Sequence, residues 1–167
     1  RTLIDISRAA TGYQLHMEDI DLPAYVEQLR RQIAALCQTK KIGLQVETGH
    51  LPAVLSADKL LMERAIMNVV NNALDYSLQD SSISISMTGD NGRLQISVTD
   101  AGPGFSQEDL LHAEEQFYMA DRSRSSDLHS GMGLFITKSI VVQHGGKLIL
   151  SNSEKTGGAQ VTISIPY

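Results

Sequence analysis

Three asparagines sit where a helix would ordinarily carry better helix formers. Asn68, Asn71 and Asn72 interrupt an apolar-periodic run built from Leu60, Leu61, Ile66, Met67, Val69, Val70 and Leu74. Asparagine weakens a helix because its amide competes for backbone hydrogen bonds. Asn68 and Asn72 are four apart and share a face, with Asp75 and Tyr76 close to it. A column of amide and carboxylate oxygens suits a hard cation and the polyphosphate around it. A solvated polar face, or capping of neighbouring loops, accounts for the same pattern.

Two glycine loops follow. Asp100-Ala-Gly-Pro-Gly104 comes directly after a strand-like run. Gly102 and Gly104 permit angles and close approaches that a side chain would block, and Pro103 stiffens the turn. Asp100, at the strand end, can accept a hydrogen bond from an amino group such as that of adenine. An ordinary tight turn with a solvated aspartate is the plainer alternative. Gly131-Met-Gly133-Leu134 leads into a helix, where free N–H groups and a positive dipole end make a phosphate seat. Glycines also precede many helices without such a role. Between the loops lie Phe117-Tyr118 and then Asp121-Arg-Ser-Arg-Ser-Ser-Asp127, too polar to pack. That stretch suits either a charged surface loop or a mobile lid whose Arg122 or Arg124 reaches phosphates when a ligand arrives.

The elements that must position these residues are readable in outline. Leu3, Ile4 and Ile6 suggest the last turns of a helix stopped at Gly12, and Leu15, Met17 and Ile20 a short strand. Asp21 caps a helix to about Lys41, with Pro23 in its first turn. Short strands are expected at Leu44–Val46 and Ala53–Leu55, then the asparagine helix from a Ser56 or Asp58 cap to about Leu78. Ile83–Thr88 and Leu94–Thr99 alternate and join through Gly89-Asp90-Asn91-Gly92, a hairpin. Residues 100–131 read as loop. A helix from Met132 to His144 ends at Gly145-Gly146, before a hairpin of Lys147–Asn152 and Ala159–Ile165 turning at Thr156-Gly-Gly158. The expected fold is an α/β sandwich of the α+β class: one mixed, mostly antiparallel sheet with helices packed on one face.

The chain has 167 residues, enough for one domain with a substantial core, and an ordinary 42% hydrophobic and 20% charged composition. A net charge of −5 argues against a nucleic-acid binder. No apolar run reaches the roughly 20 residues that cross a bilayer. Cys37, the single cysteine, excludes a disulfide framework and reads as a small buried hydrophobe. The sequence opens on Arg1 rather than Met, as a piece of a longer protein would.

Order and spacing raise these separately ambiguous motifs to a specific pattern. Arg64…Asn68-Val-Val-Asn-Asn72-Ala-Leu-Asp-Tyr76 resembles the N box of sensor histidine kinases, Asp100-Ala-Gly-Pro-Gly104 their G1 box, Phe117-Tyr118 and the Arg/Ser run their F box, and Gly131-Met-Gly-Leu134 their G2 box. Lys138-Ser-Ile-Val…His144-Gly-Gly and Ile165-Pro166 are similar to that family's closing helix and strand. The resemblance implies a Bergerat fold with a mobile ATP lid over residues 13–167, and places residues 1–12 at the end of the dimerisation, phosphoacceptor helix and its linker. It implies an ATP-dependent protein-histidine kinase module using ATP and Mg2+. Asn72 would hold Mg2+, Asn68 would contact the metal–phosphate cluster, and Tyr76 would lie near the nucleotide. Asp100 would read adenine, with Gly102 and Gly104 passing the base, while Gly131, Gly133 and Leu134 cradle phosphates. Its partners would be its own dimerisation domain, which supplies the phosphoacceptor histidine, and a response regulator. The parent would be a membrane-anchored homodimer, and the fragment a cytoplasmic domain that could be monomeric.

The chain departs from the family pattern in three places. Asp75 stands where a Lys is usual, removing a phosphate-facing charge that Arg122 or Arg124 could replace. Met119 stands where Arg is common, and Leu128-His-Ser130 replaces glycines before the G2 box. Other readings are a nucleotide-binding module deficient in phosphotransfer, and an ATPase or anti-sigma-type serine kinase of the same superfamily. The latter enzymes usually carry Glu in place of Asn68, as a general base. None of His16, His50, His112, His129 and His144 has the phosphoacceptor context. His144 reads as closing a helix, and the others as surface residues.

Overall fold

The computed structural model describes residues 14–111 and 130–167. The expected helix before Gly12, Phe117, Tyr118, Met119, Arg122, Arg124, Leu128 and His129 lie outside them. The described chain opens with a short strand, Glu18–Asp21 (β1), whose last residue caps the first helix, Leu22–Lys40 (α1), by accepting the Ala24 N–H on its carboxylate. Pro23 falls in the first turn, where a missing N–H costs nothing. The strands Gly43–Thr48 (β2) and Val54–Ala57 (β3) precede the asparagine helix, Lys59–Tyr76 (α2), which is capped by Asp58 through the Leu61 N–H.

Strands Ser82–Asp90 (β4) and Arg93–Thr99 (β5) form the expected hairpin. Asn91 and Gly92 both have positive φ, +52° and +75°. That pairing of angles matches the right-handed twist of the flanking strands. A short helix, Gln107–Leu111 (α3), was not expected. Its local signal is a reciprocal cap: Ser106 Oγ accepts the Asp109 N–H at 3.0 Å while Asp109 Oδ2 accepts the Ser106 N–H at 3.1 Å. Helix Ser130–Gln143 (α4) starts two residues earlier than its sequence pattern suggests, and strands Lys147–Asn152 (β6) and Ala159–Pro166 (β7) close the chain.

The main sheet runs β2-β4-β5-β7-β6, with β2 parallel to β4 and every other pair antiparallel, so it is mixed and mostly antiparallel as expected. A separate two-stranded ribbon, β1 with β3, stands beside it. Strand alternation decides which face the helices cover. Ile83, Ile85, Met87, Leu94, Ile96, Val98, Val161, Ile163 and Ile165 are buried, and α1, α2 and α4 bring Leu29, Ile33, Ile66, Val69, Val70, Ile140 and Val141 into the same core. The other face carries Ser and Thr, with Ser97 Oγ and Thr162 Oγ1 2.8 Å apart and Thr99 donating to Gln160 at 3.2 Å. Fully burying one such aliphatic side chain stabilises by about 1.5–3 kcal/mol, against about 1 kcal/mol net for one hydrogen bond. The apolar face therefore takes the helices. Cys37 is buried in this core, where burial pushes its thiol up.

Candidate functional site

Helix α2 is the meeting place of both glycine loops. At its end the backbone after β5 passes so close that a Cβ on Gly102 would collide with the Tyr76 carbonyl. Glycine is therefore required there by the approach of the two chains. Gly104 needs its freedom for a second reason, a φ of +82°. Just before them, Asp100 is only 2% exposed. Its Oδ1 accepts the Gly102 N–H at 2.9 Å and the Ala159 N–H at 3.0 Å. Burial pushes this carboxyl above the ordinary carboxylate range, and the two backbone N–H groups pull it part of the way back. With Oδ1 taken twice, Oδ2 is the oxygen left to accept from an incoming amino group.

The wall behind Asp100 comes from residues that the sequence offered only as a hairpin turn. Thr156 Oγ1 donates to the Asp100 carbonyl at 3.0 Å, and a Cβ on Gly158 would run into the same carbonyl. Asn152 clamps the loop further on, accepting the Phe105 N–H at 2.7 Å and donating to the Phe105 carbonyl at 2.9 Å. The dipeptide Gly157-Gly158 in a turn was the available signal, since the second glycine is demanded by contact with Asp100 and not by the turn alone.

In the middle of α2, Asn68 Nδ2 donates to the Gly133 carbonyl at 3.4 Å, and Thr137 donates to the same carbonyl at 2.8 Å. Gly131 and Gly133 fall within the first turn of α4, whose leading N–H groups lack partners inside the helix. A Cβ on Gly133 would stand 3.8 Å from Asn68, an ordinary contact. Packing among the described residues does not demand this glycine. The Leu134 side chain is buried in the core, so only its backbone can face a ligand.

Asn72, one turn beyond Asn68, is 5% exposed, and its Oδ1 accepts no hydrogen bond among the described residues. Leaving a buried amide oxygen unsatisfied costs about 1–3 kcal/mol. A neutral, hard oxygen donor of this kind fits Mg2+.

Asp75 has a partner 35 positions away in sequence. Lys40, the last residue of α1, approaches its carboxylate at 3.4 Å. The acid is thus paired with a lysine from another helix, and the position carries both charges. The structure brings Asn68, Asn72, Tyr76, Asp100, Gly102 and Gly133 together around α2, while Arg122 and Arg124 lie outside the described residues.

Residues 57–167 match the family model described as histidine kinase-, DNA gyrase B-, and HSP90-like ATPase. The sensor histidine kinase SpaK of Bacillus subtilis is 35% identical over 164 residues, covering 98% of this chain and 36% of that protein. The sensor-like histidine kinase SenX3 of Mycolicibacterium smegmatis is 32% identical over 168 residues, covering 98% of this chain and 43% of the relative. The chain thus spans less than half the length of these curated relatives. Among solved structures, the catalytic domain of histidine kinase ThkA superposes with a TM-score of 0.77 at 22% identity, covering 91% of this chain and 96% of that one. Full-length ShkA in complex with AMPPNP gives 0.77 at 22% identity, covering 99% of this chain and 34% of that one.

Proposed function

Because the chain belongs to the histidine kinase-, DNA gyrase B- and HSP90-like ATPase family, we propose that it is the ATP-binding catalytic module of a two-component sensor histidine kinase. The observation that carries this reading is the double contact of α2, with Gly102 against the Tyr76 carbonyl and Gly133 on Asn68. A buried acid, an amide oxygen with no partner among the described residues and a helix N-terminus around one helix support a base reader, a metal ligand and a phosphate seat. Asp100 Oδ2 accepts the adenine amino group, and the first turn of α4 receives phosphates through its free N–H groups. Asn72 would hold Mg2+, which would supply positive charge to the phosphates.

Asn68 narrows the reaction. A water or a serine hydroxyl must lose a proton to attack phosphorus, and an amide cannot take one. A neutral imidazole attacks through a nitrogen lone pair and needs no such base. The site therefore suits transfer of the ATP γ-phosphoryl group to a histidine on the dimerisation helices, releasing ADP, with onward transfer to a response-regulator aspartate. In the parent protein these partners, homodimerisation and membrane anchoring follow from the same reading. Among the described residues no helix is long and apolar enough to cross a membrane.

The test supplies this chain with γ-labelled ATP, Mg2+ and the parent's dimerisation segment carrying its histidine. The expected product is an acid-labile, base-stable phosphate on that segment. Bound nucleotide without transfer would identify a nucleotide sensor, and phosphate released to water by the chain alone would identify an ATPase.

A further inference from the structure

We propose that Asp58 is a junction that couples the segment leading into the domain to the nucleotide site, and that His144, just past the end of α4, is its positioning residue. This rests on the nucleotide-binding reading above. Asp58 is 4% exposed, and its polar atoms serve three different parts of the chain. Oδ1 caps α2 through the Leu61 N–H at 3.1 Å, and Oδ2 accepts the His16 N–H at 2.9 Å. Its own N–H donates to His144 Nε2 at 3.0 Å, across 86 positions of sequence. A backbone N–H can only donate, so Nε2 is the acceptor and the ring proton sits on Nδ1. There it donates to the Ile140 carbonyl at 2.9 Å. His144 therefore does more than end a helix.

The same two helices carry the site. Counting from the junction, α2 and α4 run antiparallel, and further contacts tie them at Thr137 to the Ala65 carbonyl and at Asn68 to the Gly133 carbonyl. Asp58 and His144 form the far contact of this series, and Asn68 with Gly133 the near one. At about 1.5 Å per residue the two lie about 15 Å apart. A helix is stiff over that length, so a shift at the far contact changes how Asn68 and the first turn of α4 face each other. The far contact is also where residues 14–17 attach, immediately after the stretch assigned to the linker from the dimerisation helices. Position of the linker and geometry of the phosphate seat are thus two ends of one lever.

Coupling of this kind is reciprocal: whatever ATP does to the His16 bond, that bond does to ATP affinity. The experiment follows backbone amide exchange of residues 14–17 in the 167-residue chain with and without saturating Mg2+-ATP, and ATP dissociation constants for variants. His16→Pro removes the donor, together with the imidazole and the freedom of φ. Asp58→Asn leaves one acceptor oxygen for two N–H groups. His144→Leu strips the acceptor from Asp58, and His144→Gln restores one. Expected are slower exchange at His16 on ATP binding, and affinity losses of roughly 5- to 20-fold in the first three variants, with partial recovery in His144→Gln. Variants that lose thermal stability yet keep wild-type ATP affinity, with exchange at His16 indifferent to ATP, would overturn the proposal and leave a purely structural knot. A wild-type chain that binds no ATP would instead overturn the nucleotide reading beneath it.

Discussion

Replacing Asp100 by Asn separates base reading from fold. The side chains are nearly the same shape, and the amide oxygen can still accept the Gly102 and Ala159 N–H groups at 2.9 and 3.0 Å. The other position, Oδ2 in the wild type, becomes an NH2 that points a donor at the adenine amino group, itself a donor. A hydrogen bond to a charged acceptor contributes about 1.5–3 kcal/mol. At about 1.4 kcal/mol per decade, its loss weakens ATP binding roughly 10- to 150-fold. Folding should not suffer, because a neutral amide escapes the burial that pushes the Asp100 carboxyl up. Guanine presents a carbonyl where adenine has its amino group, so the same variant should gain affinity for GTP relative to ATP. Competitive displacement of a fluorescent nucleotide, with melting temperature as the folding control, reads all three quantities. A folded variant that binds ATP as tightly as wild type and ignores GTP would refute the assignment of Asp100 to the base.

Acidification should weaken ATP binding starting above the ordinary carboxylate range, because the acceptor must be ionised and the folded carboxyl is raised. Asp100 makes the opposite contribution to stability: complete below the ordinary carboxylate range, it is lost as pH rises through the raised value. Nucleotide titrations and thermal melts across acid pH check both slopes, and Asp100→Asn should flatten each. Gly133→Ala should fold, with up to about 1 kcal/mol gained from helix propensity, yet lose ATP affinity. Gly102→Ala should lose both, since its Cβ meets the Tyr76 carbonyl; calorimetric unfolding beside ATP titration distinguishes them. Asp75→Lys should break the partly exposed pair with Lys40 at a cost of about 0–1 kcal/mol. The two ammonium groups it leaves should strengthen ATP binding in a salt-sensitive way, read as dissociation constants at two ionic strengths.

What the sequence disclosed depended on how local the cause was. The Asp21 cap, the Asp58 cap as one of two candidates with Ser56, the Asn91-Gly92 turn and the apolar alternation of β4, β5 and β7 act over a few residues, and they were legible. The Ser106–Asp109 cap was equally local but lay in a stretch dominated by loop composition, so α3 went unread. Long-range pairings were not legible at all. The parallel partnership of β2 with β4 joins strands on either side of the asparagine helix. Asp75 looked like a missing charge because Lys40 is 35 positions away, and His144 looked like a helix terminator because Asp58 is 86 away. Asn152 and Thr156 carry ordinary turn residue types, and only the fold sets them behind Asp100. The candidate site residues were picked out through the order of their motifs. Their mutual geometry came from α2 touching both loops.

The central claim is that α2 and the two glycine loops form one nucleotide site, and residue-resolved NMR titration with Mg2+ and a non-hydrolysable ATP analogue tests it most directly. Saturable shifts should centre on the backbone and side-chain amides of Asn68 and Asn72 and on the backbone of Tyr76, Gly102 and Gly133, with the Asn72 side chain responding only when Mg2+ is present. The β1–β3 ribbon should show smaller changes, confined to its junction at Asp58. Saturable shifts centred elsewhere, or none at these residues at millimolar nucleotide, would contradict the account.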